Sequence, residues 1–110
     1  MTQRLFVYGT LAPGRPNEHV MKHMNGTWRS ATVKGHLRRE GWGADLGYPG
    51  IELTESGDDV VGHLFESEEL SRFLRELDEF EGAEYQRVLT TVFLPNGDVV
   101  DAWIYRLRPD

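Results

Sequence analysis

A change of period between residues 68 and 107 restricts the fold more than any other feature of this chain. Leu70, Phe73, Leu74, Leu77 and Phe80 recur at i, i+3, i+4 and i+7, the stripe of an amphipathic helix. Ser67 suits the N-cap, and Glu68 and Glu69 suit the positive end of the helix dipole. Gly82 stands where a helix C′ residue is expected. Directly beyond it, "YQRVLTTVFL" and "DVVDAWIYRL" are rich in β-branched and aromatic residues, as strands are. They are joined through "PNGD", where Asn96-Gly97 predicts a type I′ hairpin turn. A helix of 68–81 followed by a long hairpin requires a sheet for the helix to cover.

The upstream residues supply the rest of that sheet. Leu5, Phe6, Val7 and Tyr8 form a short apolar run that reads as a strand buried on both faces. Residues 12–16 read as loop from their Pro and Gly content. Asn17 is placed to cap a short helix through Met24, with Val20, Met21 and Met24 on one side. Residues 27–37 read as a strand with a possible break at Gly35. Residues 41–50 hold four glycines and a proline and read as a loop. Residues 51–53 and 59–66 read as further strands. Strands outnumber helices, so the expected class is α+β: a curved sheet or small mixed barrel with one long and one short flanking helix.

The totals exclude several functions. At 110 residues the chain is expected to form one domain. No apolar run approaches the ~20 residues that span a bilayer, and the apolar stretch of the N-terminus is too short for a signal peptide. Cysteine is absent, which excludes thiol chemistry and makes a reducing cytoplasm the simplest home. The net charge is −6 and no basic stripe occurs, so neither nucleic acid nor membrane is an expected partner.

One residue breaks the helical pattern. With Leu70 at the origin and ~100° per residue, Glu81 falls at about 20°, in the middle of the apolar stripe. Arg72, Arg75, Glu76 and Glu79 lie on the opposite side, and Asp78 lies at the border. The helix also ends in Asp78, Glu79 and Glu81, with Glu84 just beyond, where its dipole favours cations. Burial, like charge and the dipole would all raise the pKa of a carboxyl placed there. A carboxyl tuned in this way can carry protons near neutral pH. The other reading is that the helix frays before Glu81 and the side chain turns to solvent.

The end of the first strand is equally specific. In Tyr8-Gly9-Thr10-Leu11, glycine permits a bend, and successive N–H groups can form a nest for a carboxylate or an oxyanion. An ordinary strand-to-loop turn is the plain alternative.

Other signals are weaker. His19 and His23 lie four apart, a spacing for two metal ligands on an α-helix, but the Glu of H-E-x-x-H is missing and only distant His36 or His63 could add a third. No metal or cofactor is expected. The glycines of 41–50 follow no nucleotide-binding spacing and suit a pocket wall, where Tyr48-Pro49-Gly50 would border a ligand. Trp28, Trp42 and Trp103 read as core residues, and the methionines as packing.

Taken in order, "VYGTL", "GRPN", "YPG" and "LDEFEGAEYQRV" resemble the γ-glutamylcyclotransferase-like, or AIG2-like, family over nearly the whole chain. The resemblance includes the small YGTL subgroup that contains γ-glutamylamine cyclotransferase. The resemblance implies a γ-glutamylcyclotransferase-like fold over residues 1–110 and a small γ-glutamyl substrate. It implies that Tyr8, Gly9, Thr10 and Leu11 line the substrate pocket and that Glu81 is the catalytic acid/base. It matches Tyr105 to a pocket tyrosine, and Tyr85 and Arg87 to a "Y.R" pattern. Gly82-Ala83 depart from the γ-glutamylamine subgroup, so the leaving amine is not carried over, and the oligomeric state is left open. The implied reaction releases 5-oxoproline and an amine or amino acid without a cofactor. The competing expectation is a non-catalytic binding module for a small carboxylate or amine on the same fold.

Overall fold

The computed structural model describes residues 3–9, 14, 18–38 and 50–108. The elements run β1 (Gln3–Val7), a short 3-10 helix (Glu18–His23), β2 (Thr27–Arg38), β3 (Gly50–Leu53), β4 (Asp58–Ser67), α1 (Leu70–Glu81), β5 (Tyr85–Phe93) and β6 (Val99–Leu107). The sheet order is β3-β2-β4-β1-β6-β5. A contact of Thr32 on β2 with Phe93 on β5 joins the sheet to itself, so five strands close into a barrel and β3 hangs on the edge of β2. Every pairing is antiparallel except β1 with β6, which is parallel. This is the α+β mixed barrel that the strand count predicts. No helix among the described residues is long and apolar enough to cross a membrane.

Alternation of side chains across the strands gives two apolar layers. Phe6, Val33, Leu64, Val92 and Ile104 fill the inside of the barrel. Leu5, Val7, Phe65 and Tyr105 face outward, and Leu70 and Leu77 of α1 cover them. β1 is buried on both faces because it contributes to both layers, which is why its sequence is a run and not an alternation. Met21 and Met24 extend the outer layer, with Val20 packed against it.

Four local readings are corrected. Ser67 is the last residue of β4, not the N-cap; Glu69 occupies that position. The Ser67 hydroxyl still serves the helix entry, accepting the Glu69 N–H at 3.0 Å and donating to the Asn25 carbonyl at 2.5 Å. β2 runs unbroken through Gly35, because both neighbours pair with it there, at Leu53 and Asp58. A Cβ at Gly35 would meet the Glu52 carbonyl at 2.6 Å, so the glycine answers to close strand approach and not to a break. The short helix is 3-10, and Asn17, its expected cap, lies outside the described residues.

The hairpin turn also differs. Gly97 donates to the Leu94 carbonyl at 3.0 Å and Leu94 donates to that of Asp98 at 2.9 Å, while Gly97 alone of the loop has positive φ, at 94°. The loop is therefore a three-residue one with a bulged glycine, not a two-residue I′ turn. Pro95 explains the change: its ring fixes a negative φ and suits the first central position of a type I turn.

Candidate active site

α1 packs against β1 and β5. Leu70 and Leu77 are buried beneath the helix, while Arg72, Arg75, Glu76 and Glu79 are exposed. Gly82, at φ 87°, stops the helix and donates its N–H to the Asp78 carbonyl at 3.1 Å. The helix therefore persists through Glu81 and does not fray before it. The Glu81 side chain is partly buried, and that burial pushes its pKa from the ordinary 4.5 up to about 7.

Three tyrosines share this corner. Burial raises the pKa of Tyr8, Tyr85 and Tyr105, and the nearby Glu81 charge raises each of them further. The ionised Glu81 opposes loss of each phenolic proton, so at neutral pH the phenols are kept protonated and act as donors. Tyr8 follows β1, and its hydroxyl donates to the Tyr105 carbonyl of β6 at 2.6 Å while accepting the Ile51 N–H of β3 at 3.1 Å. A phenol thus fills the gap between two strands that do not pair with each other. Gly9 lies in the bend directly after it.

The Tyr105 hydroxyl points the other way, donating to Asp78 Oδ1 at 2.6 Å. Arg87 grips the same carboxylate with both arms of its fork, Nε to Oδ1 at 2.8 Å and Nη2 to Oδ2 at 3.2 Å. Its guanidinium lies 4.3 Å from the centre of the Trp103 ring. Burial works to raise the Asp78 carboxyl, but the hydrogen bonds from Arg87 and Tyr105 and the Arg87 charge together hold it below the usual range. Two carboxyls one helical turn apart are thus driven in opposite directions, one by loss of water and one by paired donors. Asp78, Gly82, Tyr85, Arg87, Tyr105 and Arg108 are among the residues lining a cleft of about 470 Å³ at this corner.

Of the residues singled out by sequence, the structure brings Tyr8, Glu81 and Tyr105 together, with Gly9 next to Tyr8. Thr10, Leu11, Tyr48 and Pro49 lie outside the described residues, as does Trp42. The place of Asp78 was not foreseen: its position at the border of the apolar stripe, one turn before Glu81, was the available signal. His19 and His23 are both exposed on the 3-10 helix, whose three residues per turn set positions four apart on different faces. Trp28 and Trp103 pack against the outer layer.

Comparison with known proteins places this geometry. The family described as Gamma-glutamyl cyclotransferase, AIG2-like matches residues 5–110. The gamma-L-glutamyl-butirosin B gamma-glutamyl cyclotransferase of Niallia circulans is 39% identical over 71% of this chain, which spans 47% of that protein. Protein CG2811 of Drosophila melanogaster is 27% identical over 98% of this chain and 71% of its own length. The crystal structure of an AIG2-like protein from Mus musculus superposes with a TM-score of 0.74 at 28% identity, covering 96% of this chain and 76% of that one.

Proposed function

The chain belongs to the gamma-glutamyl cyclotransferase, AIG2-like family, and from that premise we propose that it cyclises a γ-glutamyl group to 5-oxoproline with release of an amine or amino acid. The observation that carries the reading is Glu81: a carboxyl at the end of α1, raised to about 7 and set among Tyr8, Tyr85 and Tyr105.

The reaction is an intramolecular aminolysis. The substrate α-amine attacks its own γ-carbonyl carbon, forming the lactam C–N bond of a five-membered ring, and the bond from that carbon to the leaving nitrogen breaks. The nucleophile is tethered, so the protein has chiefly to hold the folded conformer, and orientation of this kind can be worth roughly 7–11 kcal/mol. Proton transfer remains. Glu81 takes a proton from the α-ammonium as attack begins and passes it to the departing nitrogen; the ring nitrogen gives up a second proton as the lactam forms, and the leaving group takes up both and departs as an ammonium. A carboxyl with a pKa near 7 exists in both forms at neutral pH and can do both. Backbone N–H groups of the segment Gly9-Thr10-Leu11 would hold the substrate carboxylate or the oxyanion. Tyr105 would border the pocket, with Tyr48 and Pro49 as its further wall. No step needs a cofactor.

The test is release of 5-oxoproline from a panel of γ-glutamyl amines and dipeptides by the purified protein and by Glu81→Gln. Turnover by the wild-type protein and its loss in a folded Glu81→Gln protein are expected. Retained turnover in that variant overturns the role of Glu81. A compound that raises the thermal midpoint without being consumed would assign a binding role instead.

A further inference from the structure

The proton carrier of the proposed reaction sits on the last residue of a helix, with Gly82 ending the helix directly behind it. No further helical turn holds Glu81 from its C-terminal side. What ties this turn to the barrel is Asp78. Its two oxygens accept three hydrogen bonds, two from Arg87 on β5 and one from Tyr105 on β6, between 2.6 and 3.2 Å. Arg87 is in turn steadied by the Trp103 ring. Tyr105 is linked through its carbonyl to Tyr8, and Tyr8 to Ile51. One carboxylate therefore connects α1, β5 and β6 directly, and β1 and β3 through the two tyrosines.

We propose that Asp78 is the positioning residue of this site: by fastening the last turn of α1 to Arg87 and Tyr105, it holds the Glu81 carboxyl against the tyrosine-lined mouth of the barrel. Asp78 does not itself touch the reacting atoms in this scheme. It fixes where Glu81 points and how far water reaches it. The groups that face Glu81 are Tyr8 at the end of β1, Tyr85 at the start of β5 and Tyr105 on β6, with Asp78 on its own helix and Glu84 acting on Tyr85 just beyond. Loss of the fastening exposes Glu81 to water, which relieves the burial that raises its carboxyl and so lowers its titration midpoint.

The inference rests on the reading of Glu81 as proton carrier, but its first test needs no substrate. The Glu81 carboxyl is followed by carbon-detected NMR titration in the wild type, Asp78→Asn and Tyr105→Phe, with the resonance assigned from Glu81→Gln. Glu66→Gln serves as the control, since Glu66 accepts from Arg4 at 3.0 Å and Arg29 at 3.5 Å at the opposite end of β1. The expected result is a midpoint of about 7 in the wild type and in Glu66→Gln. It falls by about one unit or more in Asp78→Asn, and by less in Tyr105→Phe. In turnover, kcat falls about tenfold to a hundredfold in Asp78→Asn with little change in KM, and the acid limb of the pH profile moves to lower pH.

A folded Asp78→Asn protein with an unmoved Glu81 midpoint and an unmoved acid limb overturns the inference, leaving Asp78 as a structural ion pair. If Asp78→Asn does not fold, Tyr105→Phe and Arg87→Lys decide by the same midpoint. If the wild type releases no 5-oxoproline but the midpoint still falls in Asp78→Asn, the proposed reaction fails and the positioning role stands.

Discussion

The inside of the barrel and the layer beneath α1 are lined by the same strands facing opposite ways, yet they are built differently. The inner cluster is Phe6, Ala31, Val33, Ile51, Val60, Leu64, Val92, Leu94, Ala102 and Ile104, apolar throughout among the described residues, with Tyr8 packed against it and stacked on Phe6. The outer cluster mixes Leu5, Val7, Phe65, Leu70 and Leu77 with Tyr85 and Tyr105, and Glu81 and Asp78 stand at its margin. Apolar burial is non-directional, so the inner layer can stabilise the barrel without fixing any one group. Hydrogen-bonded polar groups are directional and costly to leave unpaired, so the outer layer fixes positions. The contrast assigns stability chiefly to one face of the sheet and most of the site to the other, with Tyr8 bridging the two.

Substitutions on each side can break that division. The largest effect belongs to Glu81→Gln, for which turnover falls by about 10²–10⁴-fold, the range for removal of a general acid/base. Thermal unfolding of that variant shows no loss of stability at pH 8. A destabilised Glu81→Gln would mean that the carboxyl serves the fold. Phe6→Ala does the opposite: it empties the inner layer and lowers unfolding free energy by roughly 3–5 kcal/mol, read from denaturant melts. Its folded fraction retains the high Glu81 midpoint, and a fallen midpoint would show that the layers are not separable.

The pH dependence of stability sharpens the comparison. Glu81 has a folded-state pKa raised from 4.5 to about 7, so between those values the native protein holds a proton that the unfolded chain has released. Stability therefore falls as pH rises through that window, by roughly 3 kcal/mol for this group at the limit. Asp78 is shifted downward, so its contribution has the reverse sign: it is present above the ordinary carboxyl value of 3.8 and lost as pH falls through the lowered folded value. The difference between the melting curves of the wild type and Glu81→Gln isolates the first contribution, which should grow from pH 5 to pH 8. The smallest effect is expected for Gly97→Ala, about 1 kcal/mol from the positive φ of a turn that belongs to neither layer, with turnover unchanged.

What could be read from the sequence follows the range of the forces involved. The stripe from Leu70 to Phe80 and the stop at Gly82 are local, and they place α1 and its anomalous Glu81. The β1 run and the final hairpin are local too. The turn type differs from its local signal because Pro95 shifts the loop by one residue, and Ser67 is no N-cap because β4 runs one residue past its expected end and α1 begins two residues late, at Leu70. Asp78 was unreadable for a different reason. On the wheel it is a border residue, and its meaning comes from Arg87, nine positions away, and Tyr105, 27 positions away. Nothing local to the helix records those partners.

β1 lies between β4 and β6, parallel to the latter. β1 thus finds one neighbour in the middle of the chain and the other in the last strand, Val99–Leu107. Until the last strand emerges, Leu5 and Phe6 have one edge of hydrogen-bonding groups open, and the Tyr8 hydroxyl lacks the carbonyl that it will donate to. Closure of such distant contacts is slow. The nascent chain must therefore keep an apolar edge from pairing with its neighbours until β6 is made, and the corner around Tyr8 and Tyr105 is the last part of the barrel to form.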